Sequence, residues 1–134
     1  MADPAAKILI VDDNDLIRSL LRGILRNEDY EIVGEAWNGV VALEAIERDK
    51  PDIVFLDVMM PEMDGLDTLQ CIKATYPGVL VIMITGNPSV DNVQESIRRG
   101  AEGFIIKPFN SARVIDTVRR VWQARPASPA SAAA

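Results

Sequence analysis

The chain contains no histidine, so the commonest metal ligand and the commonest general base of enzyme sites are both missing. Lysine and arginine, 14 residues together, are outnumbered by 20 aspartates and glutamates. The formal net charge of −6 is opposite in sign to that of a nucleic-acid-binding surface, which argues against direct nucleic-acid binding. Any chemistry of this protein must therefore depend on carboxylates, hydroxyls and lysine.

Cysteine and long apolar runs are scarce as well. Cys71 is the only cysteine, so no internal disulfide can form, and its apolar neighbours predict a small buried side chain in a reducing compartment. The first residues have neither the basic nor the apolar region of a signal peptide, and no apolar run reaches the ~20 residues that a membrane span needs. We therefore expect a cytoplasmic protein with no membrane partner.

What the chain does contain is a regular alternation of two kinds of segment. Its 134 residues, 49% of them hydrophobic, suffice for one domain with its own core. Short apolar runs rich in β-branched residues predict buried strands, and apolar residues at helical spacing predict helices between them. The predicted strands are 7–11, 31–36, 52–56, 80–84 and 103–106, and the predicted helices cover about 16–25, 39–48, 63–75, 90–97 and 111–124.

Local signals predict where several of these segments begin and end. Asp15 is a candidate cap for the first helix, Ser89 for the fourth, and Gly100 occupies the position where a glycine often ends a helix. Trp122 lies on the apolar face of the last helix, which predicts a core position. Residues 125–134 contain only Arg, Pro, Ala and Ser, so we expect a disordered tail after a single domain at 1–124.

Five consecutive strand-helix units predict an α/β fold with a doubly wound parallel sheet, because right-handed crossovers place helices on both faces. Ligands in such folds bind beyond the carboxyl ends of the strands. Polar residues follow four of the five predicted strands at these ends: Asp12, Asp13, Asp57, Thr85 and Lys107. Individually, the acids could be helix caps and the lysine an ordinary surface residue, but together they predict a shared site.

A divalent cation is the simplest way to keep three clustered acids ionised. Two carboxylates about 5 Å apart repel by roughly 3 kcal/mol at an effective dielectric constant near 20. All-oxygen ligation with few protein ligands is typical of Mg²⁺ at a site that also accepts phosphate. The strand ends therefore predict a Mg²⁺ site in which an aspartate can attack a phosphoryl group.

From residue 7 to residue 122 the chain resembles the receiver domain of bacterial two-component response regulators. The resemblance rests on ILIVDD at 8–13, VFLDVMMPEMDG at 54–65, ITG at 84–86 and GFIIKPF at 103–109. It implies a flavodoxin-like sheet of five strands in the order 2-1-3-4-5. It also implies a signalling protein that catalyses only its own phosphotransfer and dephosphorylation.

The same resemblance implies roles for four positions around the predicted metal. Asp57 would accept a phosphoryl group from a sensor histidine kinase or a histidine phosphotransfer protein. Asp13, Asp57 and the backbone carbonyl of Met59 would bind Mg²⁺ directly, and Asp12 would hold a metal-bound water. We expect these residues to lie together at one edge of the sheet.

The resemblance also implies a switch. Lys107 would pair with the phosphoryl oxygens, ahead of a cis peptide to Pro108, while Thr85 would move inward to the phosphate and Phe104 would turn into the space left behind. The fourth helix, fifth strand and fifth helix would form the surface for a downstream protein target. The sequence does not decide whether phosphorylation drives dimerisation. The resemblance also implies that the positions of Met59 and Asn87 tune hydrolysis of the acyl phosphate. The apolar side chain of Met59 predicts slower dephosphorylation than a polar residue at this position would give.

Four alternatives to a stand-alone receiver remain. The chain could be the receiver fragment of a larger regulator from which an output domain has been removed. An aspartate phosphatase usually has a second acid two residues after its nucleophile, where this chain has Met59. A flavodoxin-like cofactor carrier needs a phosphate-binding loop after the first strand, where Asp12 and Asp13 would repel phosphate. An adaptor that works without phosphate would bind its partner equally well after Asp57→Asn.

Overall fold

The computed structural model describes residues 5–87 and 89–126. Strands and helices alternate throughout, as the apolar pattern predicted. In chain order they are β1 (Lys7–Val11), α1 (Asp15–Asn27), β2 (Glu31–Ala36), α2 (Gly39–Asp49), β3 (Ile53–Asp57), α3 (Gly65–Thr75), β4 (Leu80–Thr85), α4 (Val90–Arg98), β5 (Gly103–Ile106) and α5 (Ser111–Gln123).

The five strands form one parallel sheet in the order β2-β1-β3-β4-β5. This confirms both the doubly wound architecture and the flavodoxin-like strand order. β1 lies second from one edge of the sheet, and β2 forms that edge. After β2 the chain crosses over β1 to β3 and then continues in the other direction, so the strand order reverses between β1 and β3. The carboxyl ends of β1 and β3 are therefore where a ligand site is expected.

Two hydrophobic clusters hold the helices on opposite faces of the sheet. One contains alternate residues of β1, β3 and β4 together with α1 and α5, and the other contains the intervening strand residues together with α2 and α3. Every residue of β3 and of β4 is buried, as expected for central strands covered on both faces. The central strands thus form a rigid base for whatever lies at their ends.

Most helix ends lie within two residues of their predicted positions, and the cap of α1 is the main correction. The N-cap is Asn14, whose side-chain oxygen accepts a hydrogen bond from the N–H of Ile17 at 3.1 Å, while Asp15 is the first residue of the helix. The predicted cap Ser89 is confirmed by its bond to the N–H of Asn92. Gly100 has a φ of +102°, so the predicted glycine after α4 is also confirmed.

Three further expectations concern the surface of the domain. Cys71 is half-buried rather than buried, which corrects the prediction, whereas Trp122 packs against the cluster under α1 and α5. Arg125, in the predicted tail, places its guanidinium 3.8 Å from the centre of the Trp122 ring. Residues 127–134 lie outside the described residues, so the tail stays a prediction. No helix within the described ranges is long and apolar enough to cross a bilayer.

Candidate functional site

Three carboxylates meet at the carboxyl edge of the sheet. Asp12 and Asp13 follow β1 directly, and Asp57 is the last residue of β3. One carboxylate oxygen from each lies within 4.8 Å of the other two. Asp12 and Asp57 are 1% and 3% exposed, whereas Asp13 is exposed to solvent. The convergence of the three acids agrees with the sequence prediction, and the structure adds that two of them are buried and the third is exposed.

Lys107 places one positive charge next to the two buried acids. Its Nζ lies 3.0 Å from Oδ2 of Asp12 and 3.5 Å from Oδ2 of Asp57, and its N–H donates to the carbonyl of Thr85. Burial lowers the pKa of this ammonium, but the hydrogen bond to Asp12 and the charges of both acids outweigh burial and raise it overall. The predicted cis peptide to Pro108 is present.

One lysine does not fully compensate the acids. The pKa of Asp57 is raised from 3.8 to about 6, first because its carboxyl is buried and then because of the negative charge of Asp12, with a smaller effect of Asp13. The ammonium of Lys107 and the N–H of Met59, 3.2 Å from Oδ1 of Asp57, act in the opposite direction. The site therefore carries excess negative charge when Asp57 is ionised.

Every polar atom of Asp12 takes part in a hydrogen bond, which fixes the position of the residue. Its N–H donates to the carbonyl of Ala36 at 3.1 Å, Oδ1 accepts from the N–H of Asn14 at 2.9 Å, and Oδ2 accepts from Lys107. Its carbonyl oxygen accepts a 2.6 Å hydrogen bond from Nη1 of Arg18, one turn into α1. Arg18 was not among the predicted site residues, because one arginine among the polar positions of a helix gives no signal of its own.

The segment after β3 lies close against Asp57. Gly65 donates its N–H to the carbonyl of Val58 at 2.8 Å, and a Cβ on Gly65 would lie 2.0 Å from the carbonyl oxygen of Asp57. Only glycine allows this approach. The side chain of Met59 is 59% exposed at the mouth of the site. Sequence reasoning included Gly65 in a motif but gave it no role.

Thr85 reaches the same edge, but its hydroxyl is engaged elsewhere. The residue is fully buried, and Oγ1 accepts a hydrogen bond from the N–H of Asn87 at 3.0 Å. Asn92 of α4 in turn donates from Nδ2 to the carbonyl of Asn87 at 3.0 Å. Phe104 is half-buried and packs against the cluster under α2 and α3. The structure thus brings together Asp12, Asp13, Asp57 and Lys107, with Thr85 beside them and bonded to the next loop.

A family model described as the response regulator receiver domain matches residues 8–119. The chain belongs to this family. The receiver is 42% identical over 114 residues to the chemotaxis protein CheY of Listeria monocytogenes, covering 85% of this chain and 96% of that protein. Its fold matches a CheY-like receiver domain protein from Methanospirillum hungatei, with a TM-score of 0.82, 30% identity, and 90% and 96% coverage of the two chains.

The receiver also matches part of a much longer protein. NtrX from Brucella abortus superposes with a TM-score of 0.85 and 39% identity over 91% of this chain but only 28% of the NtrX chain. Receiver domains therefore occur both at about the length of this chain and within larger proteins. The resemblance read from the motifs is confirmed, and it places this receiver in two-component signalling.

The acid cluster of this receiver has the chemistry that Mg²⁺ requires. Three carboxylate oxygens converge without nitrogen or sulfur ligands, as a hard dication prefers. The raised pKa of Asp57 shows that a further positive charge would be favourable there. Because Asp13 is exposed, the cluster is open to solvent on one side. The residues present thus fit a Mg²⁺ ion that keeps part of its water shell.

Proposed function

We propose that this receiver accepts a phosphoryl group on Asp57 in a Mg²⁺-dependent reaction and thereby switches a surface that binds a protein partner. The donor is a sensor histidine kinase or a histidine phosphotransfer protein. The observation that carries the proposal is the convergence of three carboxylates, two of them paired with the Lys107 ammonium, at the strand-order reversal. A structural acid pair would not need a third acid beside it.

In the transfer step, a carboxylate oxygen of Asp57 forms a bond to phosphorus while the bond from phosphorus to the donor nitrogen breaks. The electron pair of that bond stays with the donor imidazole, and the product is an acyl phosphate. Lys107, 3.5 Å from Asp57, is close enough to pair with a phosphoryl oxygen. Its raised pKa keeps it protonated for this role at neutral pH.

Asp13, Asp57 and the backbone carbonyl of Met59 are the proposed direct ligands of Mg²⁺, and Asp12 is proposed to hold a water of the ion. When bound, the ion supplies positive charge to the phosphoryl oxygens and to the acids. The burial of Asp12 and its four hydrogen bonds suit a group that orients water rather than one that moves. Met59 and Asn87 are the proposed positions that tune hydrolysis of the acyl phosphate.

The proposed switch begins with an exchange of hydrogen bonds at Thr85. Its hydroxyl accepts from the N–H of Asn87 and donates a long 3.4 Å bond to the carbonyl oxygen of Asn87. It would instead donate to a phosphoryl oxygen, which is a stronger acceptor because it is charged. Phe104 would then move into the space beside β4. This motion would change the surface formed by α4, β5 and α5, where Ile97 and Ile106 are 64% and 49% exposed. Such exposed apolar residues suit a protein partner.

A second arrangement is that this receiver is one part of a longer regulator. The partial match to NtrX, of which the chain covers 28%, favours it. The phosphoacceptor chemistry is the same in both arrangements, because it depends only on residues of this domain. Whether the encoding reading frame continues beyond Ala134 with an output domain decides between them.

Incubation with acetyl phosphate tests the proposed chemistry without a cognate kinase. We expect the mass of one phosphoryl group to appear on Asp57 with Mg²⁺ and not with EDTA, and fluorescence of Trp37 or Trp122 to change when beryllofluoride and Mg²⁺ are added together. Asp57→Ala should abolish both responses. A modification of wild-type protein that is equal with and without Mg²⁺, or that survives Asp57→Ala, would refute the proposal.

Loss of partner binding separates the receiver from an adaptor. Once a partner is known, the proposal predicts that Asp57→Asn abolishes the phosphorylation-dependent part of its affinity. Affinity that is equally high for the variant and for phosphorylated wild type would support the adaptor instead. Steady turnover of a phosphomonoester, with release of many phosphates per protein, would support the phosphatase.

A further inference from the structure

Arg18 joins the loop that carries two of the acids to the neighbouring strand. Its Nη1 donates to the carbonyl oxygen of Asp12 at 2.6 Å, its Nε lies 3.3 Å from Oε1 of Glu35 on β2, and its Nη2 pairs with Asp15. The Arg18 side chain is only 13% exposed. The guanidinium is thus held between α1, β2 and the β1–α1 loop, with an acceptor for each of its three nitrogens.

The carbonyl oxygen that Arg18 holds belongs to the peptide group between Asp12 and Asp13. A peptide group is planar, so fixing its oxygen also fixes the direction of the N–Cα bond of Asp13. The other polar atoms of Asp12 are bonded to Ala36, Asn14 and Lys107. None of these bonds reaches the carbonyl oxygen. Arg18 is therefore the side chain that sets the orientation of the peptide plane from which the exposed acid projects.

We infer that Arg18 is a positioning residue for the cation site, acting through the Asp12–Asp13 peptide. The inference rests on the proposed Mg²⁺-dependent function and adds a residue to it. Groups that orient metal ligands typically change metal affinity 10- to 100-fold when they are removed. An exposed acid such as Asp13 has the most conformational freedom to lose on binding a cation, so fixing its backbone in advance has the largest effect there.

A purely structural role for Arg18 predicts something different, and the chain offers matched controls for it. Arg22, one turn further along α1, also pairs with Glu35 and donates to Ser19, but it makes no bond to the β1–α1 loop. Arg22→Met removes the ion pair between Arg22 on α1 and Glu35 on β2, and it leaves Asp12, Asp13 and Asp57 unchanged. Glu35→Gln removes the charge of Glu35 and thereby weakens its ion pairs with Arg18 and Arg22. It leaves the bond from Arg18 to the carbonyl oxygen of Asp12 available.

The test is calorimetric titration of the full chain with MgCl₂, without any phosphodonor, together with thermal unfolding of each variant. We expect Arg18→Met to raise the Mg²⁺ dissociation constant about 10- to 100-fold. Arg22→Met and Glu35→Gln should lower the unfolding temperature while leaving that constant unchanged. In the metal-free protein, the NMR amide signal of Asp13 should shift in the Arg18 variant and stay in place in both controls.

Arg18→Lys keeps the inference testable should Arg18→Met not fold. Lysine retains the charge but not the planar fork that reaches three acceptors at once, so the dissociation constant should still rise. Wild-type affinity for Mg²⁺ in a folded Arg18 variant would overturn the inference and leave the proposed function standing. Equal losses of affinity in Arg18→Met and Arg22→Met would also overturn it. A wild-type chain that binds no Mg²⁺ would overturn the proposed function and this inference with it.

Discussion

Replacement of Asp57, the proposed phosphoacceptor, by its neutral isostere asparagine should make the metal-free protein more stable. The pKa of Asp57 is about 6 in the folded chain, against 3.8 for an unperturbed aspartate, because of burial and the charge of Asp12. Each pKa unit corresponds to about 1.4 kcal/mol, so ionised Asp57 destabilises the fold by about 3 kcal/mol at neutral pH. This penalty already includes the favourable charge of Lys107, so Asp57→Asn should remove up to all of it.

We therefore expect Asp57→Asn to raise the free energy of unfolding by about 1–3 kcal/mol at pH 7.5 in EDTA, which is roughly 3–9 °C in unfolding temperature for a chain of this size. The raised pKa fixes the sign of the pH dependence. The stability that protonation of Asp57 contributes is fully present below pH 3.8 and is lost as pH rises through about 6. The advantage of the variant should thus shrink from pH 7.5 toward pH 4.

The assay is urea denaturation across this pH range, with Asp116→Asn as a control for net charge, since Asp116 is an exposed acid on α5. Saturating Mg²⁺ should reduce the advantage of Asp57→Asn, because an ion at ten times its dissociation constant stabilises the wild type by about 1.4 kcal/mol. A variant no more stable than wild type at pH 7.5, or an equal gain from Asp116→Asn, would refute the electrostatic account of the site.

Four other substitutions test single positions. Gly65→Ala should destabilise the fold by about 2 kcal/mol or more, because its Cβ would meet the backbone of Asp57. Gly23→Ala is the control: a Cβ there has open space, so the substitution should stabilise α1 by up to about 1 kcal/mol. Equal effects of the two substitutions in urea denaturation would contradict this. Asn92→Ala removes the hydrogen bond from Asn92 to the carbonyl of Asn87, which is worth about 1 kcal/mol. If this bond restrains the loop that Thr85 must leave, affinity for beryllofluoride should rise about fivefold. An unchanged affinity would mean that the bond does not restrain the loop. Met59→Asn should shorten the half-life of the acyl phosphate, and an unchanged half-life would remove Met59 from the lifetime-tuning positions.

The alternation of strands and helices could be predicted because each element has its own physical signature in the sequence. β3 and β4 are buried along their whole length, so their sequences are continuous apolar runs. The cap of α1 was misplaced by one residue, since Asn14 and Asp15 are equally good capping residues and only the backbone conformation distinguishes them. The apolar pattern of α1 also does not show which of its leucines are buried, because Leu16 and Leu20 are 74% and 48% exposed whereas Leu21 and Leu25 are buried.

The charged part of the site was predictable for a different reason. Parallel strands end at one edge, so residues that follow the strands converge there whatever lies between them, as with Asp12 and Lys107, 95 positions apart. The bonds of Thr85, Asn87 and Asn92 were not predictable, because they depend on how one loop folds back on a helix. Neither was Arg18, since a polar residue on an amphipathic helix looks the same whether it faces solvent or a backbone carbonyl.

The exposure of the three acids indicates how the site tolerates its charge. Asp12 and Asp57 are buried and share Lys107, and Arg18 holds the backbone carbonyl of Asp12. Asp13 is the exposed member of the cluster. Under the proposed function, the cation would reach the cluster from the side of Asp13. If the proposed function holds, the uncompensated charge of the free site attracts the cation, so a variant that neutralises this charge should gain stability and lose the switch together.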